Sequence, residues 1–225
     1  MNRLILPTLT CLALAAWLPG CCDSAPTVVQ DDPLLHKNER SYLDGYPPLQ
    51  AGGMVNVVVE IPAGTTGKWE VTKPAGELRW EVRNGQPRVV QYLGYPGNYG
   101  MIPRTLLPED QGGDGDPLDV LVLGDAVPRG TVIPVRIIGV MEMVDDGEQD
   151  DKLIAVREGT QFDQVHSIAQ LRKDFGGVEA IVQAWFSNYK GRGVIHVKNF
   201  AEADVAKKIL DAAIEAYEQV KRYKP

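Results

Sequence analysis

Beyond Cys22 the chain has no cysteine at all; Cys11, Cys21 and Cys22 are its only three. A body without cysteine has no disulfide framework and no thiolate metal site. Histidine is nearly as scarce, and His36, His166 and His196 fall at no metal-ligand spacing. There is no polybasic run. The formal net charge is −7, and past Gly20, where only Arg3 of the charged residues is lost, it is −8. That surplus of acid speaks against nucleic acid and anionic lipid headgroups as partners, though not against a small phosphate compound met through metal ions. No G-x-S-x-G or Cys–His pattern proposes a covalent nucleophile, and no internal repeat is visible. What remains is a chain of 225 residues, 44% hydrophobic, sufficient for one globular domain with a true core.

The first residues are weakly positive, and residues 4–17 are apolar over a length too short to span a bilayer comfortably. Leu18-Pro19-Gly20-Cys21 resembles a bacterial lipobox, in which the cysteine is acylated and begins the mature chain. The expectation is a lipoprotein-type signal peptide over 1–20 and a lipid on Cys21, giving an exported, membrane-anchored protein on the periplasmic side or the cell surface. An ordinary secretory signal cut near Gly20, or a short membrane anchor, is the alternative. Residues 21–53, rich in Asp and Pro, read as an N-terminal tether or extension, on which Tyr42, Leu43 and Tyr46 could pack against the body. Residues 54–225 then form the functional domain.

Residues 54–62 are β-branched and apolar, a strand by composition. Residues 68–73 and 77–83 alternate around Pro74-Ala75-Gly76 and predict a hairpin, with a further strand over 88–93 after Asn84-Gly85. Strands follow over 120–123, 132–144 and 153–156, the last two flanking an acidic turn. Helical periodicity appears only late, over 178–189 and 201–222, the second with Asn199 and Glu202 as an N-terminal cap. Strands first and helices last, without βαβ alternation, imply a mainly antiparallel sheet or small barrel with external helices in the C-terminal part.

The chemistry concentrates in Gly112-Gly113-Asp114-Gly115-Asp116-Pro117-Leu118-Asp119. Gly115 and Pro117 favour a turn that lets three carboxylates converge. Carboxylates that close repel unless a cation lies between them, and hard oxygen donors select Mg²⁺, Mn²⁺ or Ca²⁺. A chain without metal should therefore be strained by crowded like charge. A second acidic turn, Asp145-Asp146-Gly147-Glu148-Gln149-Asp150-Asp151-Lys152, taken alone reads as a solvated hairpin. An EF-hand fits the first cluster poorly, because its sixth position is Asp119 where glycine belongs.

Asp-Gly-Asp-Pro-Leu-Asp-Val resembles the signature of the family I soluble inorganic pyrophosphatases. Further blocks follow in the same order: Val59-Glu60-Ile61-Pro62 with Lys68-Trp69-Glu70, then Tyr95-Pro96-Gly97-Asn98-Tyr99-Gly100, then Asp145, Asp150 and Lys152, then Asn188-Tyr189-Lys190. The resemblance implies a small five-stranded closed β-barrel, OB-like, with external helices. It implies Mg²⁺-dependent hydrolysis of pyrophosphate by a metal-activated water, with Mn²⁺ or Zn²⁺ as substitutes, and a homo-oligomer. By the same resemblance Asp114, Asp119 and Asp150 hold the tightest metal, and Asp145 with Asp150 and Glu70 holds metals arriving with substrate. Asp116 accepts the proton of the attacking water. Lys68, Arg88, Tyr99, Lys152, Tyr189 and Lys190 grip the phosphates, Arg79 and Arg83 competing for the place of Arg88. Glu60 and Tyr95 support the others.

Overall fold

The computed structural model describes residues 32–107 and 115–223. Asp114 and Cys21, and with Cys21 the whole leader, lie outside the described residues.

Five strands are joined in a ring-like sheet: β2 (Val55–Ile61), β7 (Asn98–Met101), β8 (Asp119–Leu123), β11 (Lys152–Val156) and β9 (Val132–Asp145). Each pairs with the next, and β9 returns to β2 through Val55–Val135 and its neighbours. All the pairings are antiparallel except β8 with β11. The architecture is mainly β with few helices. Alternate residues along these strands enter two cores, as a period of two requires. Val55, Val57, Val59, Val120, Val122, Leu153 and Ala155 pack with Ala206, Leu210 and Ala213 of helix α3 (Ala203–Tyr223). Val58, Ile61, Leu121, Leu123, Ile154 and Val156 pack with helices α1 (Ile168–Asp174) and α2 (Val178–Phe186). Every residue of β2 is buried, which explains why its sequence reads as one apolar run rather than an alternation.

Gly100 is required by close approach, since a Cβ there would strike the carbonyl oxygen of Val58 on the paired strand. The expected hairpin is present as β3 (Trp69–Val71) and β4 (Leu78–Trp80), with Trp69 opposite Trp80 and their rings stacked at 5.3 Å.

Several expectations are corrected. The segment 32–53 packs on the body through Tyr42, Leu43 and Tyr46, as allowed above, and it adds a strand that was not foreseen: β1 (Leu35–His36) pairs with β4, and Tyr42 is 1% exposed, its hydroxyl donating to Gly130 O at 3.0 Å. No strand forms over 88–93. Val82–Arg83 and Gln86–Pro87 instead make a minimal ribbon, β5 with β6, around Asn84-Gly85, both at positive φ. Short strand β10 (Glu148–Gln149) lies inside the second acidic turn, and strand β12 (Ile195–Glu202) pairs with β9; neither was foreseen. Asn199 is therefore a strand residue and caps nothing. Glu202 is a cap, but of a different helix: its two carboxylate oxygens accept from the backbone N–H groups of Ile168 and Ala169, each at 3.0 Å, at the start of α1.

Candidate active site

A cavity of about 630 Å³ opens between the β3–β4 hairpin, the start of β8 and the β9–β10 turn. Its walls bring together Glu60, Lys68, Glu70, Tyr99, Asp116, Asp119, Asp145 and Asp150 from the expected set. Local structure explains the convergence. Asp119 opens β8, and its partner across the antiparallel pair is Met101, two residues beyond Tyr99. The β2–β7 register shifts between Val59 and Ile61, a bulge at Glu60 of the kind that re-aims a side chain. The Glu60 carboxylate accepts the Val71 N–H at 2.7 Å, tying β2 to the hairpin that carries Lys68 and Glu70. The second acidic turn is a two-residue hairpin turn, with φ of 48° at Asp146 and 91° at Gly147. It sets Asp145 opposite Glu148 and returns the chain so that the Asp150 N–H donates to Met143 O.

Three ammonium groups pair with four of these carboxylates. Lys152, 4% exposed, donates to Asp119 Oδ2 at 2.6 Å and also to Asp150. Lys190 pairs with Asp145, and Lys73, which sequence reasoning passed over, pairs with Asp116. The expectation of crowded like charge is therefore revised for four of the carboxylates: Asp116, Asp119 and Asp145 each pair with a lysine distant in sequence, and Asp150 with Lys152 two residues on. Among the described residues no group of three acidic, histidine or cysteine side chains stands ready-made as a metal site.

Electrostatics follow from that pairing. Burial would raise the Asp119 carboxyl, but the Lys152 and Lys68 charges and hydrogen bonds from Lys152 and Tyr99 outweigh it and hold it below the usual range. Asp150 is raised, burial and the nearby Asp119 charge prevailing over Lys152. Burial opposes the charged form of Lys152, but the two aspartates win and its pKa rises. Glu60 is pushed up to about 8 by burial, against the pull of Lys68. Burial also raises Tyr99, Tyr95 and Tyr189, with the Asp119 charge adding to the first two. Their hydroxyls stay protonated and able to donate.

Arg88, Tyr95, Lys152, Tyr189 and Lys190 are not among the residues that line the cavity, Lys152 and Lys190 reaching its carboxylates by ion pairs. Lys68 Nζ lies 5.3 Å from the Tyr99 ring centroid. Tyr95 contacts Tyr99 at 5.3 Å and Trp185 at 4.4 Å, and Tyr189 stacks on Trp185 at 4.5 Å. Arg88 Nη1 donates to Glu81 Oε2 at 2.6 Å. Arg79 is engaged by Glu77 and Asp32, and Arg83 is largely exposed beside Glu81. Glu148, Gln149 and Asp151 also line the cavity and were not singled out; Asp151 accepts the Met143 N–H at 3.0 Å.

One atom bears on a metal. Asp145 Oδ1 is buried without a hydrogen-bond partner among the described residues. An unsatisfied buried carboxylate oxygen is costly, and a hard cation relieves it. Glu70, Asp116, Asp119 and Asp150 share the cavity wall with it, so the donor types present fit such ions.

A cleft walled by carboxylates, lysines and tyrosine hydroxyls on a small ring-like sheet has the chemistry of a metal-assisted phosphate hydrolase. The family model for inorganic pyrophosphatase matches residues 57–218. An inorganic pyrophosphatase of Agrobacterium fabrum is 38% identical over 173 residues, which is 72% of this chain and 89% of that one. The Homo sapiens inorganic pyrophosphatase is 36% identical over 60% of this chain, and the match spans 52% of its length. The crystal structure of type I inorganic pyrophosphatase from Toxoplasma gondii superimposes with a TM-score of 0.74 at 29% identity, covering 80% of this chain and 88% of that one. The chain belongs to the inorganic pyrophosphatase family, whose members hydrolyse pyrophosphate with the help of metal ions.

Proposed function

We propose that the chain hydrolyses inorganic pyrophosphate by direct attack of water, with Mg²⁺ as the working cation and no covalent enzyme intermediate. The observation that carries the choice of a hard cation is the buried, unpartnered Asp145 Oδ1 in a wall of carboxylates. Asp114, Asp119 and Asp150 would hold one ion, and Asp145 with Asp150 and Glu70 the others. When bound, the cations neutralise phosphate oxygens and acidify the attacking water.

The chain's own groups supply the rest. Asp116 takes the proton of the water as its oxygen bonds to one phosphorus, and the bridging P–O bond breaks with its electron pair leaving on the second phosphate. Lys68, Lys152, Lys190 and Arg88 neutralise the oxygens of the two phosphates, while the Tyr99 and Tyr189 hydroxyls donate to them. Glu60 acts indirectly, holding the hairpin that carries Lys68 and Glu70, and Tyr95 supports Tyr99 and Tyr189 by ring contact. The ring-like sheet is read as a closed OB-like barrel.

The test is phosphate release from pyrophosphate, short polyphosphate and nucleoside triphosphates, with Mg²⁺ and with chelator. Mg²⁺-dependent release from pyrophosphate in large preference to the others supports the reading; equal rates on nucleotides, or release unaffected by chelator, would defeat it.

The Leu18-Pro19-Gly20-Cys21 run supports a second element of the proposal, a lipid on Cys21 that holds the enzyme to the outer side of a membrane. Self-assembly into a homo-oligomer belongs to the same proposal, on the strength of the family resemblance.

A further inference from the structure

Asp116 lies on a stretch without regular structure, between Gly115 at φ 79° and the start of β8. Such a carboxylate has no element to fix its direction, yet a proton acceptor works only when held close to its productive geometry. Two of its contacts hold it in place. Its backbone carbonyl accepts the Leu107 N–H at 3.2 Å. Its carboxylate pairs with Lys73, whose Nζ also donates to Gly115 O at 3.0 Å. Lys73 thus grips both the backbone and the side chain of the loop at adjacent residues.

The lysine is itself supported. It sits at the β3–β4 turn, where Thr72 N–H donates to Glu77 O at 2.8 Å and Gly76 N–H donates to Thr72 O at 2.8 Å. The turn is braced from outside by the packed N-terminal segment, Tyr42 N–H donating to Gly76 O at 2.9 Å. At Gly76, with φ of 66°, a Cβ would run into the Ser41 side chain, so the segment and the turn fit only with glycine there. A continuous series of contacts therefore runs from Tyr42 through the hairpin turn and Lys73 to Asp116.

We propose that Lys73 is a positioning residue for the reaction, clamping the Gly115–Asp116 loop so that Asp116 meets the attacking water. Both side chains are about half exposed, 47% and 53%, so their pairing adds little to stability and its value lies in geometry. The inference rests on the reading of Asp116 as proton acceptor, and the test separates the two.

Steady-state kinetics on pyrophosphate with saturating Mg²⁺ would compare wild type, Lys73→Met, Lys73→Arg, Asp116→Asn and the Lys73→Met/Asp116→Asn double variant. Lys73→Met should lower kcat by about tenfold with KM changed less than about twofold, the signature of lost alignment. Lys73→Arg should recover most of the loss, because a guanidinium can still reach both oxygens. In the Asp116→Asn background, Lys73→Met should cost less than about a further twofold, since both act on one step. Melting temperatures in chelator should stay within a few degrees of wild type. Unchanged kcat in Lys73→Met beside a crippled Asp116→Asn overturns the proposal alone. So does a rise in KM at constant kcat, an arginine variant no better than methionine, or full additivity in the double variant. Wild-type turnover in Asp116→Asn overturns the assignment of Asp116 and the proposal with it.

Discussion

Lys152 Nζ lies 2.6 Å from Asp119 Oδ2, a pair joining two parallel strands that are adjacent in the ring but separated by the whole length of β9 in sequence. Asp150 shares the same ammonium. This arrangement reverses what a simple count of acidic residues suggests about the metal-free protein.

Replacing Asp119 by Asn removes one of the two charges that compensate a buried lysine. In chelator Asp119→Asn should melt below wild type, by a loss of about 1–3 kcal/mol, the cost of a weakened buried charge-assisted contact. Millimolar Mg²⁺ should raise the wild-type melting temperature more than that of the variant, because a bound ion stabilises only a fold that still has its ligands. Thermal melting in both media gives four numbers. Equal Mg²⁺-induced shifts in the two proteins would remove Asp119 from the metal site.

Arg88 is the arginine assigned to the phosphates, and its guanidinium is held by Glu81 in a half-buried pair. Arg88→Ala should lower turnover of pyrophosphate by tens- to a hundredfold, about 2–3 kcal/mol for a charge-assisted contact. Arg79, engaged with Asp32 and Glu77, and Arg83, 65% exposed, should tolerate alanine with much smaller losses. A greater loss at either of those two positions would move the assignment.

Asp44 ties the packed N-terminal segment to α3, accepting from the Tyr217 hydroxyl and from Lys221 Nζ at 3.2 Å. Slight burial acts to raise its pKa, but the Tyr217 and Lys221 hydrogen bonds and the Lys221 and Arg104 charges outweigh it and lower the value. A carboxyl whose folded pKa is depressed stabilises the fold above its unfolded pKa of about 4 and loses that contribution as pH falls through the folded value. The melting-temperature advantage of wild type over Asp44→Asn should be full at pH 7 and shrink towards pH 3. An advantage that is constant over this interval would show that the charge of Asp44 is irrelevant.

The tether is tested by fractionation. With Cys21→Ser the protein should leave the membrane fraction, or remain as an unprocessed precursor of higher mass, while the wild type stays with membranes until detergent is added. Wild-type mature protein that is soluble without detergent would rule out the lipid.

Strands β2, β8, β9 and β11 were legible because they carry apolar runs rich in β-branched residues, short in β8 and β11, that meet partners on both sides. β12 was not, because His196, Lys198 and Asn199 dilute its pattern on an exposed face, and its strand state comes from pairing with β9. Glu202 was recognised as capping chemistry yet assigned to the wrong helix, since a cap that reaches 34 residues back along the chain leaves no local signature. The acidic members of the cleft could be read from two short motifs. Lys73 could not: an isolated lysine beside a turn proline looks like any solvated charge, and only the fold brings it to Asp116.

The two-residue turn at Asp146-Gly147 makes the separation of Asp145 from Lys152 a counted length. Strand side chains alternate faces, so where a residue added or removed at this turn slips β11 by one against β9, the Lys152 ammonium goes to the opposite side of the sheet, away from Asp119. Loops are usually where proteins accept insertions and deletions. This turn, although exposed, is a place where changes of length should be excluded while changes of identity at its outward-facing positions are accepted.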